Sequence, residues 1–185
     1  MGEEENFTRL MLFIEKPCLK MMKEFFDKRL EETSPGLSVD GFLNNNRTRI
    51  LQTKHGKYNK NKYFPPGGTQ TDDWDLGMLY HITSYFPACH HVNHIMGHLN
   101  VIKQIRDKLC HLGKPLVRGT EYDGYRKSIG DFLTDTVTYV NNNDLQDAIQ
   151  KDIKYIERPM SRELIEIHTN IHKTYDKKGI EDLIE

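Results

Sequence analysis

Residues 91–111 read HVNHIMGHLNVIKQIRDKLCH, and the fold turns on how this stretch is read. Ile95, Leu99, Ile102, Ile105 and Leu109 recur at three- and four-residue spacing, which places them on one stripe of an amphipathic helix. Gly113 and Pro115 close that helix. At roughly 100° per residue, Arg106 falls near the centre of the stripe formed by Ile95, Leu99, Ile102 and Leu109. Taking a guanidinium out of water costs several kcal/mol, so Arg106 is expected either to pair with an interior carboxylate or to line a groove. His111, four intervening residues on, would point about 140° further round an unbroken helix. The breakers at 113 and 115 permit the last turn to unwind and swing the ring toward that groove.

Outward from this helix, the chain reads as helices throughout. Residues 6–32 carry Leu10, Ile14, Cys18, Met21, Met22 and Phe25 at helical spacing, with Pro17 predicting a kink or restart near residue 16. Thr33-Ser34-Pro35-Gly36 ends that segment, and a shorter helix is expected over residues 38–54. Phe64-Pro65-Pro66-Gly67-Gly68 must be a loop. Asp72 or Asp73 suits the N-cap of a central helix through Trp74, Leu76, Met78, Leu79, Ile82, Tyr85 and Phe86, which Pro87 ends. Tyr125, Ile129, Phe132, Leu133, Thr136 and Val140 give another amphipathic helix, and Asn141-Asn142-Asn143 breaks the pattern before a last helical region. No alternating strand pattern and no internal repeat occurs, so the fold class is all-α: a helical bundle over residues 6–140 with a helical C-terminal extension over residues 141–185. The apolar face running from Leu145 to Ile171 folds back on the core or pairs with a second copy or another protein.

Composition narrows the function. The 26 basic and 27 acidic residues leave a formal net charge of −1, so nothing global draws the chain to phosphate backbones or anionic membranes. Any nucleic-acid contact must come from a local patch, and one stretch qualifies. Residues 47–62 hold Arg47, Arg49, Lys54, Lys57, Lys60 and Lys62 with no acid, and Tyr58 and Tyr63 sit among them. Lys54, Lys57, Tyr58, Lys60 and Lys62 are candidates to track an RNA backbone and stack its bases, against the plainer alternative of a solvated loop. The acidic start, the absence of a run of roughly 20 apolar residues and three cysteines without CxxC spacing point to a cytoplasmic protein that neither enters a membrane nor builds a disulfide framework. His94 and His98 sit at i,i+4, but no further ligand stands at good spacing, and neither a metal nor a cofactor is expected.

Arg106 and His111 suit metal-independent RNA cleavage. A histidine near neutral pKa can take the 2′-hydroxyl proton while an arginine holds the charge building on the phosphate. Spacing alone does not select this pair, since Arg49 with His55 and Arg162 with His168 are similarly placed. The competing reading makes Arg106 a structural ion pair and His111 a solvated residue favoured by the helix dipole.

The wider pattern resembles the HEPN domains of the type found in the DAZ-interacting ubiquitin ligase. The resemblance rests on Asn6-Phe7-Thr8-Arg9-Leu10, on Trp74-Asp75-Leu76-Gly77-Met78-Leu79 after a Pro-Pro loop, and on Ile102-Lys103-Gln104-Ile105-Arg106-Asp107 leading to His111. Tyr125, Ile129 and Leu133 follow where that family repeats aromatic and aliphatic residues, so the similarity spans about residues 6–140. It implies a bundle built around an antiparallel helix pair, a homodimer that brings two Arg-polar-xxx-His signatures together, and RNA binding or cleavage. Carried over by position, Arg106, Asp107 and His111 would be the catalytic residues, with Asp107 standing where the family often has Asn. DNA is not an expected partner. RING zinc ligands are absent, so ligase activity is not implied. The alternative is a non-catalytic scaffold for protein interaction, in keeping with adaptor roles of such domains in animal signalling or innate defence.

Overall fold

The computed structural model describes residues 2–181, with side chains as far as His172; the last four residues of the expected extension lie outside it. Every regular element among the described residues is helical. Helix α1 (Glu3–Phe13) passes into α2 (Leu19–Thr33) through a π-helical turn, Ile14–Cys18. Pro17 therefore neither stops nor restarts the helix. The wider turn absorbs the proline, which has no N–H to give, and buries Ile14, Pro17 and Cys18.

The helix expected over residues 38–54 is three short ones: α3 (Val39–Asn45), α4 (Arg47–Gln52) and α5 (Lys54–Tyr58), followed by α6 (Lys60–Tyr63). Side-chain caps start α3 and α5, whereas the breaks at Asn46 and Asn59 have no side-chain cap. Ser38 accepts from the Gly41 N–H at 3.1 Å, and Thr53 accepts from the Gly56 N–H at 2.9 Å. The turn between α4 and α5 is so tight that a Cβ on Gly56 would overlap the Ile50 carbonyl oxygen, so only glycine fits there.

Helix α7 (Leu76–Thr83) starts later than the sequence indicated. Residues Thr71–Asp73 form a 3-10 turn, and the cap is Asp75, whose carboxylate accepts from the Met78 N–H at 2.8 Å. Trp74, placed just before the cap, is buried against Phe26 and Tyr63. After a second 3-10 turn at His90–Val92 comes α8 (Asn93–Cys110), then α9 (Gly119–Val140). These two form the antiparallel pair of an all-α bundle. Lys108 near the end of α8 binds Glu121 at the start of α9 at 3.0 Å, and His98 in the first half of α8 meets Asp135 near the end of α9 at 3.1 Å.

Asn141 ends α9 in the left-handed conformation, at φ 54°, and Asn142 caps α10 (Asn143–Ile156) by accepting from the Leu145 N–H. Helices α10 and α11 (Arg162–Glu181) both lie against α1. Leu145, Ile149 and Ile156 are buried there, whereas α11 buries Thr169 and His172 and leaves Ile167 and Ile171 exposed. His172 seals the join, with its ring on Phe7 and its Nε2 2.8 Å from the Leu112 carbonyl oxygen.

Candidate functional site

Ile95, Leu99, Ile102, Ile105 and Leu109 are all buried on one side of α8, as their spacing requires. Arg106 shares that face of the helix but keeps its side chain 31% exposed. It reaches across to the cap of α7. Its Nη2 donates to Asp75 Oδ2 at 3.1 Å and its Nη1 to Asp107 Oδ1 at 3.2 Å. Asp107 in turn binds Lys103, one helical turn back. Lys103, Asp107, Arg106 and Asp75 thus form an alternating chain of ion pairs with no net charge. Burial alone would raise the Asp107 carboxyl, but its hydrogen bonds from Lys103 and Arg106 outweigh that and hold it below the usual range. Arg106 has found its carboxylates near the surface, since the Asp75 side chain is itself 53% exposed.

His111 does not join this group. Helix α8 stays wound to Cys110, and the His111 N–H still bonds the Asp107 carbonyl at 3.2 Å. The ring therefore stands exposed at the helix end, with no side-chain partner among the described residues.

The histidine that approaches Arg106 is His55. A Cβ placed on Gly77, in the first turn of α7, would lie 3.7 Å from Arg106 Nη1, 4.0 Å from His55 Nε2 and 3.3 Å from Asp75 Oδ1. The three groups thus meet beside the buried Gly77, whose missing side chain lets them come together there. His55 Nδ1 lies 3.2 Å from the Tyr63 hydroxyl, which is also 3.3 Å from the Met78 carbonyl oxygen. The hydroxyl has one proton for these two acceptors, so it donates to the Met78 carbonyl when Nδ1 carries the ring proton and to Nδ1 when Nε2 does. Burial pushes the His55 pKa down, with Lys103 and Arg106 adding to the effect and Asp75 and Asp107 opposing it.

His81 packs its ring on His55 at 4.6 Å between centroids. Its Nε2 lies 3.2 Å from the Thr53 hydroxyl and 3.3 Å from that of Tyr85. Burial and the neighbouring His55 lower its pKa to about 4, so it stays neutral at physiological pH.

The basic stretch divides in two. Arg47 and Arg49 lie over the rings of Phe64 and Tyr85, at 4.4 and 5.1 Å, and bond Asn44 and Asn46. Lys54, Lys57, Lys60 and Lys62 are exposed and have no ion-pair or hydrogen-bond partner among the described residues. Tyr58 stands between them, 80% exposed. Lys54, Lys57 and Tyr58 share the outer face of α5 by their i, i+3, i+4 spacing. His55 and Gly56 turn inward from the same helix.

Sequence reasoning missed Asp75, His55, His81 and Gly77. Asp75 carried a signal, being an Asp three residues before Met78, as good a cap as Asp72 or Asp73. His55 carried one only as half of a chance-looking Arg49–His55 pair. The His94–His98 pair gains Asp135, at 4.0 and 3.1 Å, but no group of three metal-holding side chains occurs among the described residues. None of the described helices is long and apolar enough to cross a membrane. Set against protein-family models, curated proteins and solved structures, the chain matches none of them.

Proposed function

We propose that this chain is an RNA-binding domain of HEPN type, acting in the cytoplasm, that holds single-stranded RNA along the ridge formed by α5 and α6. The observation that carries the reading is the set of four exposed, unpartnered lysines, Lys54, Lys57, Lys60 and Lys62, around the projecting ring of Tyr58. Other cations are engaged, with Lys20, Lys23, Lys103, Lys108 and Arg126 each meeting a carboxylate, and others that are also exposed without an ion pair, among them Lys114, Arg118, Lys127, Lys151 and Lys154, are spread over α9, α10 and the loop before α9. Lysines left unpaired in a chain of near-zero net charge are available to phosphates, and binding there releases counterions. An exposed tyrosine among them offers a face on which a base stacks, worth about 1–3 kcal/mol.

Binding is favoured over cleavage by the lone chain. Arg106 is neutralised by Asp75 and Asp107, and His111 stands apart from it. Cleavage would need a second copy whose His111 reaches a phosphate held by the first, and the free, exposed ring of His111 is the feature that allows it.

The test is replacement of Lys54, Lys57, Lys60 and Lys62 by glutamine, with RNA affinity measured across a salt series. Affinity is expected to drop, and the slope of log affinity against log salt to shallow by roughly 0.7 for each phosphate contact removed. Unchanged affinity and slope would reject the ridge, and no binding by the unaltered chain would favour a protein-interaction scaffold. RNA shortening that disappears in His111→Ala would add cleavage to the function.

A further inference from the structure

We propose that the stacked pair His55 and His81 is an acid-sensitive latch, which holds α5 and α6 against α7 while both rings are neutral and releases them when the rings take up protons. The latch needs no RNA, because it concerns only how the ridge is fastened to the bundle.

Little else fastens this segment. Gly56 is the buried residue of α5 and Tyr63 that of α6, and Asn59 is buried between them. Lys54, Lys57, Tyr58, Lys60 and Lys62 all stand in solvent. His55 is therefore the side chain by which α5 reaches α7, through the ring of His81 at 4.6 Å between centroids. Short segments with so few buried apolar groups are the first to open.

The closed form suits neutral rings. His81 Nε2 lies 3.2 Å from the Thr53 hydroxyl, which caps α5, and 3.3 Å from the Tyr85 hydroxyl. His55 faces the Tyr63 hydroxyl at 3.2 Å and the Asn59 amide at 3.4 Å. These partners are hydroxyls and an amide, and none brings a negative charge to balance a histidinium.

Nor is a nearby anion spare. Of the charged groups that face His55 from α8 and the cap of α7, Asp75 and Asp107 are already matched by Arg106 and Lys103. His81 has no ion pair among the described residues, and the charge beyond Tyr85 is the Arg49 guanidinium of α4, 5.1 Å over that ring. Two histidinium rings in contact would repel each other more strongly there than in water. Both would also add positive charge beside a segment, residues 54–63, that holds four lysines and no acid.

Burial, the largest cause for each, lowers His55 from its ordinary 6.5 and His81 to about 4. Opening restores the ordinary value, so protons favour the open form. That form gains population as the pH falls below about 6.5 and stops gaining once the lowered values are passed.

Hydrogen exchange of the full chain, followed by mass spectrometry at pH 7 and pH 5 and corrected for the intrinsic pH dependence of exchange, tests the latch. Opening over residues 54–63 is expected to become about tenfold more populated at pH 5, while α8 and α9 keep their protection. Trp74, the sole tryptophan, meets Tyr63 edge-on at 5.3 Å, so its fluorescence should change over the same pH range. His81→Gln keeps a hydrogen-bonding partner for Thr53 and Tyr85 but takes up no proton, and should cut the pH effect to about threefold or less. His55→Asn makes the same test on the other ring should His81→Gln fail to fold. Equal opening of residues 54–63 at both pH values would overturn the latch, as would a rise that the variants leave intact or one that every helix shares.

Discussion

Replacing Arg9 by leucine is expected to cost about 3–5 kcal/mol of stability, because it deletes one member of a buried charged set and strands the others. Arg9 is 5% exposed, in the middle of α1. Its guanidinium donates to Glu5 at 2.7 Å, to the Arg158 carbonyl at 2.8 Å and, by a short bond, to the Ile156 carbonyl. Those carbonyls belong to the end of α10, where the last turn has no N–H of its own to satisfy them. One side chain thus ties the C-terminal helices to the first one. Leucine fills the space but leaves Glu5 and both carbonyls without their donor. Urea unfolding at neutral pH measures the loss, and a change below about 1 kcal/mol would mean that water replaces the arginine fully. Acid should narrow the difference. The hydrogen bond from Arg9 holds the Glu5 carboxyl below its usual pKa, so this contribution is complete above the unfolded value and disappears as pH falls through the lowered one.

Trp74→Ala is expected to cost a similar amount, roughly 3–5 kcal/mol, through the lost transfer energy and the cavity left behind. The ring is 1% exposed and meets Tyr63 edge-on at 5.3 Å and Phe26 at 5.9 Å. It sits one residue before the Asp75 cap and directly under Tyr63, so it supports both the carboxylate that holds Arg106 and the hydroxyl that orients His55. Thermal melting followed by circular dichroism gives the stability. If the ridge depends on this support through Tyr63, RNA affinity should fall in the same variant at temperatures where it remains folded. Loss of stability with an intact RNA affinity would separate the core from the ridge.

The long helices were legible because each carries a full apolar stripe. Helices α8 and α9 lie where their spacing put them, to within a few residues at the ends of α8. The shorter elements were not. Helices α3 and α5 start at caps from Ser38 and Thr53, and the Gly56 backbone contact fixes the turn between α4 and α5, none of which leaves a periodic trace. Pro17 was visible, but its accommodation in a π turn depends on what Ile14 and Cys18 pack against. Arg106 was found because a charge on an apolar stripe is conspicuous. Its partner was not, because Asp75 is 31 residues away in sequence, and because His55 belongs to a segment whose lysines drew attention to its outer face. His111 was adjacent in sequence to the right helix, yet that helix stays wound to Cys110 and leaves His111 exposed at its end.

The central claim, that RNA lies along α5 and α6, is tested most directly by photocrosslinking the full chain to a single-stranded RNA carrying 4-thiouridine and mapping the adducts by mass spectrometry. Adducts concentrated on Tyr58 and its neighbours over residues 54–62 are the predicted result. Adducts confined to other surfaces, with residues 54–62 recovered unmodified, would contradict it.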